Sequence, residues 1–582
     1  MVQNHDYFII VFYNVCYHFI KGLNIIVHIH IMGIPAYFSY IIKNYPNILQ
    51  KFQNNLQVNH LYLDSNSIIY DCLRQIKYTG DKNEFERQLI NTTCKTIETY
   101  VQQISPSHLV YIAFDGVAPV AKLNQQKNRR YKSWYIGNYN KTTNNESINN
   151  NNSTNTNTNT NTNTNVISNE WDSTAITPGT EFMNKLNLQV QYHFRNASLY
   201  NVKQIIVSGS DQPGEGEHKI FEYIRMNSKT IGQMKTVVYG LDADLIMLTI
   251  NHLDICNDMY LFRETPDFIR SIDKSLDPNS LYVINIPEFK NQLVYYLNND
   301  KEPSTEAEHN RIHDYIFLCF MLGNDFLPHF PALNIRQNGM DILLETYRNM
   351  LGTNKQNIIK DGKIIWRNFR KVVKELANNE TMYIQNDYNE RDKQELRHIR
   401  IPEDASLFDK EMLHAPSKYR EIEKYINPFD DYWESRYYDM LFDIDINDEH
   451  RKQISMNYLE GLEWTFKYYT TGCIDWRWSY KYHYPPLLQD LIKHIPYFED
   501  ELLTHKEKNP VKDIVQLSYV LPRKSLSLLP RKIENRLVSN LVNNYREDYD
   551  FKWAFCKYFW ECHVEFPHTD IGLIEQILSG ND

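Results

Sequence analysis

Short hydrophobic runs alternate with helical patterns of apolar residues from Met32 to about Arg348. Four of these runs are the clearest predicted strands, and they are His60–Leu63, His108–Phe114, Gln204–Val207 and Lys235–Leu241. Strands that alternate with helices are typical of a doubly wound, mainly parallel sheet covered by helices. The pattern therefore predicts an α/β domain over residues 32–350.

The remaining part, residues 351–582, is rich in Tyr, Trp and charged residues at helical spacing, for example between Tyr458 and Thr470. Strand signals are sparse there, so we expect a mainly helical second domain. A chain of 582 residues is also longer than a single hydrophobic core usually organises, which favours two packed domains.

Two segments do not fit this pattern. In residues 1–31 the apolar stretch Tyr7–Ile20 is interrupted by Asn14 and His18 and has no basic residue before it. It is therefore neither a membrane span nor a signal peptide. The folded pattern begins abruptly at Met32, where we expect translation to start, so that residues 1–31 are a non-conforming extension.

The second unusual segment, residues 137–168, is a low-complexity run of Asn and Thr. Such a tract cannot bury enough apolar surface to offset the entropy of ordering it. We expect a disordered surface insertion within the first domain and not a domain boundary.

Acidic residues follow the predicted strands. Three of the four strands run directly into an aspartate, and two glutamates follow the fourth within a few residues. Ligands bind at the carboxyl ends of parallel strands, so these side chains should converge on one edge of the sheet. With one more aspartate after an apolar helical run, the candidate set is Asp64, Asp115, Glu215, Glu217, Asp242, Asp244 and Asp325.

Seven carboxylates at one edge repel each other unless cations lie between them. Oxygen ligands without His or Cys select hard ions, so the set predicts Mg²⁺, with Mn²⁺ as a substitute. Two such ions can activate a water and stabilise a leaving oxygen at a phosphodiester. A lone aspartate is more often a helix cap or a turn residue, but seven at strand and helix ends favour a metal site.

The formal net charge of -10 argues against a nucleic-acid partner, yet the charge is unevenly distributed. Between Gly116 and Asn145 there are six basic residues and no acidic one. At helical spacing most of Lys122, Gln126, Arg129 and Arg130 share one face, where guanidinium groups can bind a terminal phosphate. The alternative is a solvated basic helix, which is less favoured because the strand and Asp115 lie immediately upstream.

Aromatic and sulfur-containing residues give weaker evidence about the function. Trp464, Trp476 and Trp478 favour a buried cluster, although one of them can instead stack on a base. The eight cysteines are scattered without metal-binding spacing, which indicates reduced, intracellular thiols and does not separate cytoplasm from nucleus. The abundance of Asn, Ile, Lys and Tyr is typical of an AT-rich genome, such as that of a protist or a large DNA virus.

Several motifs together closely resemble the eukaryotic 5′-to-3′ exoribonuclease family. They are Met32-Gly33-Ile34-Pro35, Leu63-Asp64-Ser65-Asn66-Ser67, Phe114-Asp115-Gly116, Asn124-Gln125-Gln126, Thr177-Pro178-Gly179-Thr180, Pro213-Gly214-Glu215-Gly216-Glu217-His218-Lys219, Gly240-Leu241-Asp242-Ala243-Asp244 and Gly323-Asn324-Asp325-Phe326. The resemblance is strong from Met32 to about Met340, weaker beyond, and covers the family's catalytic core only.

The resemblance implies that the seven acids are metal ligands and that Lys122, Gln126, Arg129 and Arg130 bind the 5′-phosphate. It implies a monomeric, Mg²⁺-dependent enzyme, without membrane association, that converts single-stranded RNA carrying a 5′-monophosphate processively to 5′-mononucleotides. Tyr70 stands where many members have His, and we expect its ring to stack on a base. Among the tryptophans, we expect Trp478 to do the same. The family has a long charged helix after the phosphate-binding residues, and we expect the Asn/Thr tract to replace it here.

Two other functions remain open from the sequence. A flap-type structure-specific endonuclease shares the acid-rich α/β core, although the Thr177–Thr180 segment and the large C-terminal half argue against it. A catalytically inactive RNA-binding scaffold would have lost some of the acids, and all seven are present.

Overall fold

The structure is a computed structural model of the chain. It describes residues 37–52, 56–151, 171–240, 242–262, 280–301, 304–399, 401–403, 405–442, 444, 446–498 and 501–580. The Met32–Pro35 motif and residues 1–31 lie outside this set. Within it, no helix is long and apolar enough to cross a membrane.

A seven-stranded sheet forms the centre of the first region. Its strands lie in the order β1-β7-β6-β5-β2-β3-β4. They are β1 Leu49–Lys51, β2 His60–Asp64, β3 Leu109–Ala113, β4 Gln204–Ser208, β5 Thr236–Tyr239, β6 Met259–Phe262 and β7 Tyr282–Asn285. Strands β6, β5, β2, β3 and β4 are parallel, whereas β7 is antiparallel to β6 and to β1. The doubly wound, mainly parallel sheet is confirmed, and the four predicted strands lie side by side in it.

The order of the strands creates a switch point at β2. The chain goes from β2 to β3 and β4 on one side, and later adds β5 and β6 on the other. At such a reversal the loops that follow neighbouring strands diverge and leave a crevice. The crevice of this sheet lies beyond the carboxyl end of β2, where Asp64 is the last strand residue.

Helices cover both faces of the sheet. In the first region they are α1 Tyr37–Asn44, α2 Asn66–Gln75, α3 Lys82–Ile104, α4 Val120–Asn151, α5 Glu181–His193, α6 Gly216–Met226, α7 Ser228–Ile231, α8 Asp244–Asn251, α9 Ile286–Leu297, α10 Thr305–Cys319 and α11 Gly339–Tyr347. Every residue of β2, β3 and β5 is buried, as expected for strands packed on both faces.

The second region is mainly helical. Its helices are α12 Trp366–Glu395, α13 Leu407–Glu411, α14 Ala415–Lys418, α15 Glu421–Ile426, α16 Trp433–Leu441, α17 Asp448–Thr470, α18 Leu488–His494, α19 Asp513–Val520, α20 Arg531–Asn540 and α21 Ile571–Ser579. This region also contains two small antiparallel pairs, β8 Ile359–Lys360 with β9 Lys363–Ile364, and β10 Phe551–Lys552 with β11 His563–Val564.

The largest hydrophobic core joins the two regions. It includes Tyr62 of β2 and Leu245 of α8 together with Trp366, Tyr458 and Phe555 from the second region. The boundary that the sequence suggests near residue 350 therefore runs through a continuous core, and the division into 32–350 and 351–582 stays a prediction.

One sequence prediction is wrong in part. Residues 137–151, expected to be disordered, continue α4 as a helix, and only the rest of the Asn/Thr insertion lies outside the described residues. The reason is tertiary packing, because Ile136 and Tyr139 pack against Phe408 and Asn140 accepts a hydrogen bond from the Phe408 N–H at 3.0 Å. The sequence predicts that the Asn/Thr tract replaces a long helix at this position. The helix is instead present as far as Asn151.

Candidate active site

The structure brings the seven predicted acids together at the switch point of the sheet. Asp64 ends β2, Asp115 follows β3, Glu215 and Glu217 begin α6 after β4, and Asp242 and Asp244 follow β5. Asp325 comes from the loop after α10, where the Asn324 side chain accepts hydrogen bonds from the Phe326 and Leu327 N–H groups at 2.8 and 2.9 Å. Three parallel strands and two helix starts thus point their acids into one crevice.

Glycines allow the turn before α6 to approach the other acids. Gly214 has a φ of +103°, which L side chains rarely adopt. At Gly216 an added Cβ would lie 2.5 Å from the Asp64 Oδ1, so the helix can begin this close to Asp64 only without a side chain. The Gly216 N–H donates a hydrogen bond to Asp115 Oδ1 at 2.8 Å, where the positive end of the helix dipole favours an anion.

Neighbouring polar side chains fix the orientation of several acids. Asn66 donates to Asp115 Oδ2 at 2.5 Å and accepts from the Asp115 N–H at 3.1 Å. Gln125 of α4 donates to Asp325 Oδ1. The ammonium of Lys219 donates to the carbonyls of Phe114 and Gly209, at 2.7 and 2.6 Å, and so ties together the ends of β3 and β4.

Burial gives the cluster an unfavourable electrostatic state. Burial, and then the carboxylates of Asp115, Asp242 and Glu215, raise the pKa of Asp64 well above its ordinary value. Burial and Glu215 raise the pKa of Glu217 in the same way, and burial and Asp325 raise that of Asp244. Protons or cations are therefore needed between these groups.

Lys122 supplies part of the positive charge. Its ammonium lies 2.5 Å from Glu215 Oε2 and also contacts Asp325. Burial lowers the pKa of Lys122, but the carboxylates of Asp325, Glu215 and Glu217 outweigh this effect and raise it well above its ordinary value. The sequence predicts that Lys122 binds the 5′-phosphate, and the structure places its ammonium between two of the acids.

The residues present fit a hard divalent cation. Ligand atoms of Asp64, Glu217 and Asp242 lie within 4.8 Å of one another, and so do those of Glu215, Glu217 and His218. Among the described residues, Asp64 Oδ1, Glu217 Oε2 and Asp244 Oδ1 are buried without a hydrogen-bond partner. Buried oxygens of this kind are stabilised by a bound cation, and carboxylates are the ligands that Mg²⁺ and Mn²⁺ prefer.

The predicted phosphate-binding residues lie on one face of α4. Arg130 is buried, and its Nη2 donates to Thr177 Oγ1 at 2.9 Å while its Nη1 donates to Gln126 Oε1 at 3.3 Å. Burial and the neighbouring Arg129 lower the pKa of Arg130 to about 10, so the guanidinium keeps its charge at neutral pH. Arg129 is half-buried beside it.

The two predicted stacking residues occupy different environments. Tyr70 is half-buried in α2 and lies near Arg130. Trp478 is only 8% exposed, and its ring stacks on Trp464 with centroids 5.2 Å apart. Tyr70 thus lies near the basic face of α4, whereas Trp478 packs in the core. Base stacking by either residue stays a prediction.

Two tyrosines of α17 were missed by sequence reasoning. The Tyr468 hydroxyl donates to Glu215 Oε1 at 3.0 Å, and Tyr469 donates a hydrogen bond to Asp244. They come from the second region, more than 200 residues along the chain, and no local pattern distinguishes them from other helix tyrosines. His218 was missed as well, although it lies inside the Pro213–Lys219 motif.

A mainly parallel sheet with carboxylates at its switch point and a basic helix beside them defines the class of doubly wound nuclease folds. Within that class, residues 32–265 match the family profile described as XRN 5′-3′ exonuclease N-terminus. Residues 306–424 and 403–578 match the profile described as Xrn1 helical domain. The chain therefore belongs to the XRN 5′-3′ exonuclease family, which confirms the resemblance seen in its motifs.

Similar proteins cover most of this chain. The 5′-3′ exoribonuclease 2 homolog of Drosophila melanogaster is 27% identical over 93% of this chain and 70% of its own length. The 5′-3′ exoribonuclease 1 of Saccharomyces cerevisiae is 28% identical over 86% of this chain, which spans only 40% of that protein. The 5′-3′ exoribonuclease 2 of Gallus gallus is 26% identical over 93% of this chain and 69% of its own length.

Proposed function

We propose that this chain is a divalent-metal-dependent 5′-to-3′ exoribonuclease that hydrolyses RNA carrying a 5′-monophosphate to 5′-mononucleotides. The observation that carries the proposal is the contact of Lys122 with Glu215 and Asp325, because it joins the basic face of α4 directly to the acid cluster. Gln126 and Arg130 follow Lys122 by four and eight residues, which is about 6–12 Å along a helix. A terminal phosphate held there would leave the next phosphodiester near the acids.

The proposed roles follow from charge and position. Asp64, Asp115, Glu215, Glu217, Asp242, Asp244 and Asp325 would hold two Mg²⁺ ions, with Mn²⁺ as a substitute. Such ions, when bound, lower the pKa of water and stabilise negative charge on a phosphodiester. Gln126, Arg129 and Arg130 would bind the 5′-phosphate by hydrogen bonds from amide and guanidinium groups, and Lys122 would balance charge between the two sites.

Selectivity for a monophosphate is supported by the burial of the Arg130 guanidinium. Arg130 is only 8% exposed and already bonded to Thr177, which is itself fully buried. Packing thus fixes the position of this guanidinium, which suits one small phosphate group better than a cap or a triphosphate, each of which needs more space and more cations. Tyr70 would stack on the first base, and processive action by a monomer on single-stranded RNA completes the proposal.

The test uses one internally labelled RNA with a 5′-monophosphate, a 5′-hydroxyl or a 5′-triphosphate, incubated with the full-length protein in Mg²⁺ or in EDTA. We expect mononucleotides from the monophosphate form alone, and no product in EDTA. Cuts at internal junctions would indicate a flap-type endonuclease, and binding without cleavage would indicate an inactive scaffold. Either result would overturn the proposal.

A further inference from the structure

His218 is a buried imidazole whose two nitrogens have no hydrogen-bond partner among the described residues. His218 lies in the first turn of α6, next to Glu217, and is 6% exposed. Buried polar nitrogens are normally paired, so two unpaired nitrogens on one ring point to a ligand other than a protein group.

A nearby histidine shows that this environment does not prevent pairing. His252 is 1% exposed, and its Nδ1 lies 2.7 Å from the Leu248 carbonyl while its Nε2 accepts from Arg225 at 3.0 Å. Both nitrogens of His252 are therefore satisfied by protein groups. The two histidines differ in their neighbours, because His252 lies beside a carbonyl and a guanidinium whereas His218 lies beside carboxylates.

The His218 ring faces acids of the candidate metal site. Its Nε2 lies 3.7 Å from Glu217 Oε1, and the ligand atoms of Glu215, Glu217 and His218 all lie within 4.8 Å of one another. Adjacent ligands of one octahedral ion with bonds of about 2.1 Å are about 3 Å apart, so small side-chain shifts would place these groups around one ion.

Tyr468 holds this arrangement in place. Its ring stacks on His218 with centroids 3.6 Å apart and an angle of 25° between the planes. The same side chain donates its hydroxyl to Glu215 Oε1 at 3.0 Å. One tyrosine thus fixes both the plane of the imidazole and the carboxylate next to it, as the groups behind metal ligands commonly do.

We propose that His218 is a nitrogen ligand of one of the two divalent ions, which it would bind together with Glu215 and Glu217. This inference rests on the proposed metal-dependent nuclease. The other ion would be held by the all-oxygen group of Asp64, Glu217 and Asp242, so that Glu217 serves both. Imidazole suits Mn²⁺ better than Mg²⁺, and the nitrogen-containing position should therefore prefer Mn²⁺.

The test is electron spin-echo envelope modulation of the full-length protein loaded with Mn²⁺, which detects nitrogen nuclei bonded to the ion. We expect nitrogen modulation in the native protein that changes when its histidines carry the heavier nitrogen isotope. His218→Gln should abolish the modulation and weaken Mn²⁺ binding about tenfold in calorimetry, with a smaller effect on Mg²⁺. His252→Gln, the matched control, should keep the modulation.

Absence of histidine modulation in the native protein, or its survival in His218→Gln, would overturn the inference. The isotope experiment needs no variant, so the result stands even if a substitution prevents folding. Histidine modulation in a protein that fails to degrade RNA would support this inference and overturn the proposed function. Degradation of RNA by a protein without histidine modulation would support the proposed function and overturn this inference.

Discussion

The buried carboxylates differ in how the protein itself satisfies them. Asp115 accepts hydrogen bonds from Asn66 and the Gly216 N–H, and Glu215 accepts one from Tyr468. Asp64, Glu217 and Asp244 each keep one buried oxygen without a partner among the described residues. The last three should therefore depend most strongly on a bound cation.

Asp244→Asn should abolish cleavage and spare the fold. The change removes one negative charge from a cluster in which burial and Asp325 already raise the pKa of Asp244. We expect activity to fall about 100-fold or more, while the free energy of unfolding in EDTA rises by about 1 kcal/mol because repulsion is relieved. Asp242→Asn should likewise lose activity.

RNA degradation assays and urea unfolding in EDTA and in Mg²⁺ would measure both effects. Asp258→Asn offers a control, because Asp258 pairs with Lys235 at the opposite end of β5. Full activity in both Asp242→Asn and Asp244→Asn would contradict the metal assignment.

The acid sensitivity of the fold should depend on His313. Burial, and then the nearby His309 and His252, lower the pKa of His313 from 6.5 to about 3. The unfolded chain therefore binds the proton more tightly than the folded chain, and stability is lost as the pH falls from 6.5 towards 3. The slope for one proton is about 1.4 kcal/mol per pH unit.

Urea unfolding of His313→Leu between pH 7 and pH 4 should show a shallower loss of stability than in the native protein. His568→Leu removes an exposed histidine and should leave the slope unchanged. Equal slopes in the native protein and His313→Leu would show that His313 does not cause the acid sensitivity.

At the scale of elements, the sequence predicts best where the pattern is local. The strands β2 to β5 and the start of α4 follow from apolar runs and helical spacing. Strand β1 was missed because its three residues are largely exposed, and β6 and β7 because their apolar runs are only four residues long, whereas β5 lies within the longer run Lys235–Leu241. The helical residues 137–140 were missed because Tyr139 and Asn140 contact Phe408, a distant contact that composition cannot reveal.

The basic helix α4 should set the preference for the 5′ end. Arg129→Ala removes a half-buried guanidinium beside Arg130 and leaves the Arg130 contact with Thr177 in place. Hydrogen bonds of a charged group are worth about 1.5–3 kcal/mol, so the preference for 5′-monophosphate over 5′-hydroxyl RNA should fall about tenfold or more.

Competition between the two RNAs in one reaction would measure this ratio. Arg195→Ala serves as a control, because Arg195 stacks on Tyr192, an exposed residue of α5. An unchanged ratio in Arg129→Ala would place the phosphate pocket elsewhere.

Helix α17 should control metal affinity from the second region. Tyr468→Phe and Tyr469→Phe each remove one hydroxyl that donates to a predicted ligand, Glu215 or Asp244. Loss of such supporting hydrogen bonds typically weakens metal binding 10–100-fold, because the carboxylate is no longer held in position.

Calorimetry with Mn²⁺ would show the change in affinity. Tyr437→Phe is the matched control, since the buried Tyr437 hydroxyl donates to the Pro485 carbonyl, which is not a predicted ligand. An affinity equal to that of the control in both α17 variants would mean that this helix only packs against the site.

At the scale of the whole molecule, the candidate site is assembled from both regions. The sequence predicts the seven acids, because each follows a strand or an apolar helical run, but it cannot identify Tyr468 and Tyr469. Those two contacts depend on how α17 packs against α6 and α8, which is decided by the shared core. Hydroxyl donors of this kind are visible only once distant segments are brought together.

The shared core also predicts how the protein unfolds. Tyr62 and Leu245 from the first region and Trp464 and Phe466 from the second are fully buried in one hydrophobic cluster. Separating the regions would expose large apolar surfaces at about 25 cal/mol per Å², a cost that neither region can avoid alone. We therefore expect one cooperative transition, in which fluorescence of the tryptophans, concentrated in the second region, and circular dichroism of all helices change together.

A fragment of residues 32–350 should accordingly fail to fold to a stable state, and it should not bind Mn²⁺ with the affinity of the full chain. Urea unfolding followed by both signals, with calorimetric titration of the fragment, would test this. Two separate transitions, or a folded fragment with full Mn²⁺ affinity, would show that the first region is independent and that α17 contributes nothing essential. A single transition would mean that the acid cluster and the helical region are stable only together, because the same contacts that bury Trp464 also place Tyr468 beside Glu215.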